Sequence, residues 1–411
     1  MKPKDSIGLR RSLSLPLVTF YGLGTTIGAG IYVLLGEVVQ VAGLYAPVSF
    51  LLSCAIAAFS AFSFAELATR FPKSAGEAVY INEGFESRHF AILIGLMVVM
   101  AGAVSSATIV SGSVGYLREF VDIASWPAIL VILAGLGLIA IWGITESVTV
   151  AAVGTAVEIG GLLMVIWGGQ DQLGDLASQL PTLVPPLDGT IWLGIVSGSV
   201  LAFYAFLGFE DIVNVVEETR DPERNMPRAI VATLLVTAVL YTLLSVVAVL
   251  GLPVAALGES EAPLALLYRE TTGASSGLIA GIAIFSILNG ALIQMIMGAR
   301  VLYGMAAQGW LPAVLARVGE KTQTPVTATL CIVVIVTVFA LWLPLGELAR
   351  ITSLLALLIF TAANLSLLLI KRRLGHVGSG FSIPVWVPAI GMVASISLAC
   401  YQILGFIGFL G

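Results

Sequence analysis

Charge is scarce in this 411-residue sequence: Asp, Glu, Lys and Arg make up 10% of it, against 58% hydrophobic residues. Soluble domains run nearer a quarter charged, and a mean hydropathy of +1.04 excludes a soluble domain of useful size. Histidine is almost missing. Its two copies, His89 and His376, fall at the end of an apolar run and in a loop. An intramembrane serine protease therefore lacks a buried base, and a midplane proton relay lacks an imidazole. Only Asp211 offers a membrane aspartate, where an aspartyl protease needs two. Neither H-E-x-x-H nor G-x-x-x-x-G-K-[ST] occurs, which disfavours zinc proteolysis and primary pumping. The three cysteines, Cys54, Cys331 and Cys400, all sit inside apolar runs and read as small buried hydrophobes. A disulfide framework is not expected.

What is present is a succession of uncharged runs of 20 or more residues, the mark of membrane helices and not of a β-barrel. We read eleven spans: 13–40, 43–69, 89–117, 126–145, 147–168, 191–216, 228–252, 275–308, 324–343, 346–370 and 386–409. The first run is too long for the core of a cleaved signal peptide. Several spans exceed 25 residues, which implies tilt or a break. Pro and Gly punctuate the junctions, as at Pro72, Pro127, Pro185, Pro186, Pro253 and Pro384. With the N-terminus in the cytoplasm, alternation puts only Arg118, Arg269 and Arg350 outside. The other 16 of the 19 Lys and Arg residues, from Lys2 to Arg373, fall inside. That bias follows the positive-inside rule and supports both the count and the orientation. The C-terminus is then expected outside, in a multi-pass protein of the cell (inner) membrane. The whole chain, 1–411, reads as one transmembrane domain.

Two spans carry breaks near mid-membrane. Residues 20–32 read FYGLGTTIGAGIY, and residues 198–218 read GSVLAFYAFLGFEDIVNVVEE. They open two five-span halves, about 13–168 and 191–370, which start on opposite sides because five is odd. The helix 386–409 is extra. This is the order of a 5+5 inverted-repeat transporter, whose paired broken helices mark a substrate site at the midplane. A break frees N–H groups at the start of one half-helix and C=O groups at the end of the other. The N–H groups and the helix dipole attract a carboxylate, the C=O groups an ammonium, and glycine lets the ligand approach closely. Helix packing through small residues is the competing reading for Gly24-xxx-Gly28.

Four stretches resemble the amino acid–polyamine–organocation (APC) superfamily, especially its prokaryotic amino acid permeases and cationic amino acid transporters. They are GTTIGAGIY (24–32), RFPKSAGEAVY (70–80), FYAFLGFE (203–210) with EETRDPERNMPRAI (217–230), and RVLYGMAAQGWLP (300–312). The resemblance implies a leucine-transporter-like, all-α membrane fold with helices 1 and 6 interrupted. It implies secondary transport of an L-amino acid by alternating access, by symport or exchange. By the same resemblance, the N–H groups of Gly28, Ala29 and Gly30 hold the substrate carboxylate. Thr26, Tyr204 and Leu207 hold the ammonium through their carbonyls. Ile27 and Phe203 belong to the same two segments. Tyr204 stands at a gating aromatic and Glu210 at an acidic gating or helix-contact position. Many relatives have twelve spans; the missing one lies outside the ten-helix core.

Glu158, in VTVAAVGTAVEIGGLLMVIWGG, is ionisable at a depth where charge is expensive, and is a functional candidate for that reason. In a proton-coupled branch of the family a lysine takes the matching position. Three readings stand open. Glu158 exchanges a coupling proton; or it helps bind Na⁺ with span eight, where Ser286 and Asn289 offer one hydroxyl and one amide; or it is structural. Ser106, among five Ser and Thr residues of span three, and Asn289 are candidates for the side-chain pocket. Glu37, Glu66, Glu217, Glu218 and Arg300 lie near span ends. No acid is clearly placed to hold a cationic side chain, which favours neutral amino acids. A sodium-coupled symporter and a polyamine or organocation carrier are the alternatives, and a channel or a non-transporting amino acid sensor is the different class. Beyond the amino acid, H⁺ (or Na⁺) and the bilayer, no partner is expected: no cofactor, no metal site, no nucleic acid, no enzyme activity.

Overall fold

Helices form wherever the sequence is apolar and uninterrupted, because backbone groups in a bilayer must be paired within their own segment. The computed structural model describes residues 13–72, 76–142, 148–174, 176–307, 309–317, 319, 324–374 and 380–406. The expected charges at Lys2, Lys4, Arg10, Arg11, Lys73 and Lys321 lie outside the described residues, as does His376. So do the side chains of Glu217 and Glu218.

The first half of the chain begins with α1 (Leu15–Thr26) and α2 (Ala29–Ala42), separated at Ile27–Gly28. Gly43, at φ 59°, and a 3-10 turn lead to α3 (Ala46–Arg70). Then come α4 (Gly76–Phe85), α5 (Arg88–Arg118), α6 (Ser125–Trp142) and α7 (Val148–Gly168). Two short helices, α8 (Gln170–Gly174) and α9 (Leu176–Leu183), connect the halves.

The second half opens with α10 (Gly189–Ala205), whose first N–H groups at Thr190 and Ile191 are capped by the Asp188 carboxylate. The chain unwinds at 206–208 and continues as a 3-10 helix, Phe209–Glu218. Next are α11 (Pro222–Gly251), two short helices α12 (Val254–Gly258) and α13 (Pro263–Thr272), α14 (Gly277–Ala307), α15 (Val326–Trp342) and α16 (Leu345–Leu374). The last is α17 (Trp386–Phe406).

The longer helices cover the expected spans, α4, α8, α9, α12 and α13 fall between them, and both expected interruptions are present. Among the described residues, seven helical stretches are long and apolar enough to cross a membrane, with shorter apolar helices at Ser125–Ile141, Gly154–Gly168 and Val326–Trp342. The one isolated β-bridge described joins Leu13 to Thr219. The three cysteines are free.

Matching positions of the two halves pack together: α3 on α11, α5 on α14, α6 on α15, and the broken pair α1–α2 on α10 and the 3-10 helix. That is the leucine-transporter-like pairing, and it brings both breaks to one place. The outer surface is apolar, with Val131, Leu138, Leu163 and Leu235 exposed. At one end of the bundle the polar exception is a buried ion cluster. Glu66 of α3 pairs with Lys371 of α16 at 2.8 Å and with Arg70 at 2.7 Å. The same carboxylate accepts the Ile383 N–H at 2.8 Å, so α3, α16 and the approach to α17 are tied together.

Candidate functional site

The break in the first span spends some backbone groups and leaves others open. Ile27 N–H closes α1 on Leu23, and Gly28 N–H turns back to the Thr26 carbonyl at 3.1 Å. The Thr26 carbonyl also accepts the Tyr241 hydroxyl at 2.9 Å, so two donors already occupy it. Ala29 and Gly30 open α2, where first-turn N–H groups have no intrahelical carbonyl to reach. None of the described hydrogen bonds uses them. In the second break, Phe206 and Leu207 N–H groups fold back on Phe203 and Tyr204. The Leu207 carbonyl accepts none of the described hydrogen bonds.

The two breaks meet backbone to backbone. A Cβ at Gly30 would lie 2.3 Å from Ala205 Cα, and one at Gly208 would lie 2.4 Å from the Thr25 carbonyl oxygen. Gly208 also has φ 121°, a conformation that favours glycine. Thr25 donates its hydroxyl to the Gly208 carbonyl at 2.9 Å.

Around this junction is a cavity of about 30 Å³. Thr25, Thr26, Gly28, Gly30, Tyr204 and Leu207 form its broken-helix wall. Ser105 and Ile109 of α5 and Gly290, Ile293 and Gln294 of α14 form the other. The Tyr204 and Ser105 hydroxyls are hydrogen-bonded at 3.0 Å. Ile27 and Phe203 point away into the core, the latter edge-on to Phe360. Ser106 also turns away, donating to the carbonyls of Gly102 and Ala291. Asn289 faces Gly154 on α7. The hydroxyl at the cavity is thus Ser105, one residue from the expected one, and the amide is Gln294.

A second cavity, of about 40 Å³, shares Ser105, Leu207 and Gln294 with the first. Glu77 of α4, Glu210 and Asp211 line it, and no Lys or Arg does among the described residues. Sequence alone places no acid clearly to hold a cationic side chain; three carboxylates line the cavity that adjoins the junction. Gln294 donates to Asp211 Oδ2 at 3.1 Å. Glu210 accepts the Gly208 N–H at 2.8 Å, capping the start of the 3-10 helix with its own carboxylate. Burial pushes the Glu77 carboxyl up to about 7. Glu77 and Gln294 lie far apart in sequence from the breaks, and only folding reveals their convergence.

Glu158 is buried on α7, with Ser286 facing it from α14. Its backbone carbonyl accepts the Tyr32 hydroxyl at 3.0 Å. Glu158 Oε2 and Ser286 Oγ have no hydrogen-bond partner among the described residues. Asymmetric burial of a carboxylate oxygen without a donor is costly. With the Ser286 hydroxyl as the donor at hand, the position has room in its chemistry for a proton, a cation or water.

The profile of the amino acid permease family matches residues 13–410. A vacuolar cationic amino acid transporter 4 of Arabidopsis thaliana is 31% identical over 395 residues, covering 88% of this chain and 64% of the relative. The branched-chain amino acid permease BcaP of Bacillus subtilis is 24% identical, covering 92% of this chain and 84% of the relative. A methylthioribose transporter of the same organism is 25% identical, covering 95% and 87%. The chain thus spans less than two thirds of the length of the plant transporter it matches.

Proposed function

The chain belongs to the amino acid permease family of the APC superfamily, and on that premise we propose that it carries L-amino acids across a membrane by alternating access, as a secondary transporter. The observation that carries this reading is the junction of the two broken helices. Gly30, in the first turn of α2, presents an N–H group that none of the described hydrogen bonds uses, suited to a carboxylate, and the Leu207 carbonyl, equally unused among them, suits an ammonium. The cavity between them is about 30 Å³, roughly the volume of one water. An amino acid enters only if its walls part, and alternating access supplies that movement. Tyr204, held by Ser105, is the side chain that swings to admit or enclose the ligand. Glu210 steadies the break by binding the Gly208 N–H.

Three carboxylates beside Leu207, those of Glu77 and Asp211 buried and that of Glu210 half-buried, with no basic residue lining the same cavity among the described residues, favour a substrate whose side chain carries positive charge. The name of the plant relative agrees with that class. A second reading, a neutral apolar side chain, has its own support in Ile109 and Ile293 beside the cavity and in the name of the Bacillus permease. Glu158 is the proposed coupling group, exchanging a proton. Sodium ligation with Ser286 is the competing role. The orientation proposed is N-terminus inside, C-terminus outside, in the cell membrane.

Uptake into proteoliposomes of labelled arginine, lysine, leucine and alanine, each with and without proton and sodium gradients, tests the reading. Accumulation driven by a proton gradient supports it. Binding without uptake identifies a sensor, and non-saturating flux with single-channel currents a channel. Uptake of putrescine and of no amino acid identifies an organocation carrier.

A further inference from the structure

At the end of the bundle away from the Glu66–Lys371 cluster, the end of α12 and the segment leading to α13 close over a third, larger cavity of about 300 Å³. It stands on the same two helices as the inner one. Glu37 lies two turns past Gly30 on α2, about 10 Å along the axis. Ser111 lies six residues past Ser105 on α5, about 9 Å along. Between the two cavities the path is shut. Gly112 is packed on Val33, and the Tyr116 hydroxyl is bonded to the Tyr32 carbonyl.

Unlike the inner cavity, this one carries both signs of charge. Arg118 donates Nη1 to both carboxylate oxygens of Glu261, at 2.6 and 2.5 Å, and Nη2 to Ser125 at 2.8 Å. The Arg118 and Glu261 side chains are 33% and 59% exposed. An ion pair this wet holds by about 1 kcal/mol or less, so another carboxylate can replace Glu261 at little cost. Glu37 lines the same cavity and has no ion pair or hydrogen bond from its side chain among the described residues. A free cationic group is what its carboxylate lacks.

We propose that this cavity is an outer docking station for a free α-amino acid, with Arg118 taking the carboxylate in exchange for Glu261 and Glu37 taking the ammonium. The proposal rests on the transport reading above and adds a second binding site to it. Its volume suits one amino acid, and Arg118 beside Glu37, with Glu259 a further carboxylate on the lining, offers a zwitterion both signs of charge. Glu261 sits between α12 and α13 and packs its backbone on Gly115 of α5. Substrate arrival therefore unties the segment that covers the path inward, and the ligand itself opens its own way.

The test is equilibrium binding of radiolabelled L-arginine and L-leucine to the full chain in lipid nanodiscs, alongside proteoliposome uptake. The wild type is expected to bind two molecules of the transported probe. Glu37→Gln binds one, and Glu37→Asp restores two. Gly28→Ala, which fills the inner cavity, still binds one. The uptake KM of Glu37→Gln rises about tenfold at unchanged kcat, the loss of one charge-assisted hydrogen bond. A single molecule per wild-type protein, or an unchanged KM in Glu37→Gln, overturns the docking station and leaves the inner site standing. No binding of either probe by any variant overturns the transport reading and the station together.

Discussion

Thr25 donates its side-chain hydroxyl to the Gly208 carbonyl across 2.9 Å, a bond between residues 183 positions apart that joins the last turn of α1 to the break in the second segment. The same hydroxyl is 3.0 Å from the Gly22 carbonyl, so its single proton is shared between a carbonyl of α1 and one of the second break. One threonine thus ties the end of α1 to the unwound segment at 206–208.

Thr25→Val keeps the side-chain shape and removes the donor. A buried neutral hydrogen bond is worth about 1 kcal/mol net, so uptake is expected to fall about fivefold. Thermal unfolding of the purified protein is expected a few degrees lower. Unchanged uptake would show that the bond does not set the geometry of the breaks.

Gly30→Ala and Gly28→Ala separate folding from binding. A methyl at Gly30 runs into the Ala205 backbone, which cannot yield, and the variant is expected to lose its folded yield on size-exclusion chromatography. A methyl at Gly28 meets nothing within 4 Å and projects where the cavity is. That variant is expected to fold with wild-type yield and lose amino acid binding at the inner site. Wild-type transport by Gly28→Ala would place the substrate elsewhere.

Glu158→Gln keeps the shape of the side chain and removes its exchangeable charge. Proton-driven accumulation is expected to vanish while exchange of internal for external amino acid persists. Accumulation against a gradient by the variant would rule out the coupling role.

Glu77 makes stability depend on pH. Its carboxyl is raised from an ordinary 4.5 to about 7 by burial. Between those values the folded chain holds a proton that the unfolded chain has released. Its contribution to stability is therefore full below about 4.5 and is lost as pH rises through about 7. Glu77→Gln is expected to flatten the fall in melting temperature across that window. An identical pH profile in the variant would show that the charge is compensated by groups other than those facing it.

Lys371 and Glu66 are a buried pair with side-chain exposures of 5% and 0%. Lys371→Met leaves Glu66 with Arg70, whereas Glu66→Leu strands the buried Lys371 ammonium and is expected to cost about 3–5 kcal/mol. Adding Lys371→Met to Glu66→Leu is expected to recover most of that loss. If single and double variants melt together, the pair does not anchor α16 to α3.

The breaks were legible because glycine density and an internal acidic pair in apolar sequence are local signals, and the odd number of spans per half follows from counting. The buried acids were less legible. Glu77 sits in a polar loop stretch that reads as solvated, and only the packing of α4 under the core carries it to Asp211. Gln294 is one polar residue in a long apolar helix, and its facing depends on a rotation that periodicity fixes only loosely. Ser105 and Ser106 are neighbours 100° apart on one helix, so composition favours neither. Which carbonyls remain open was beyond the sequence altogether, since the Tyr241 hydroxyl that occupies Thr26 comes from 215 residues away.

The bridge between Leu13 and Thr219, with Arg220 N–H donating to the Leu13 carbonyl at 2.9 Å, lies at the far ends of the two interrupted segments. Together with the Thr25–Gly208 bond it makes two rivets on one pair of rods. A single rivet lets rods scissor; two do not. α1 and the 3-10 helix are therefore tied as one plank, and whatever loosens Leu13 leaves a pair of scissors.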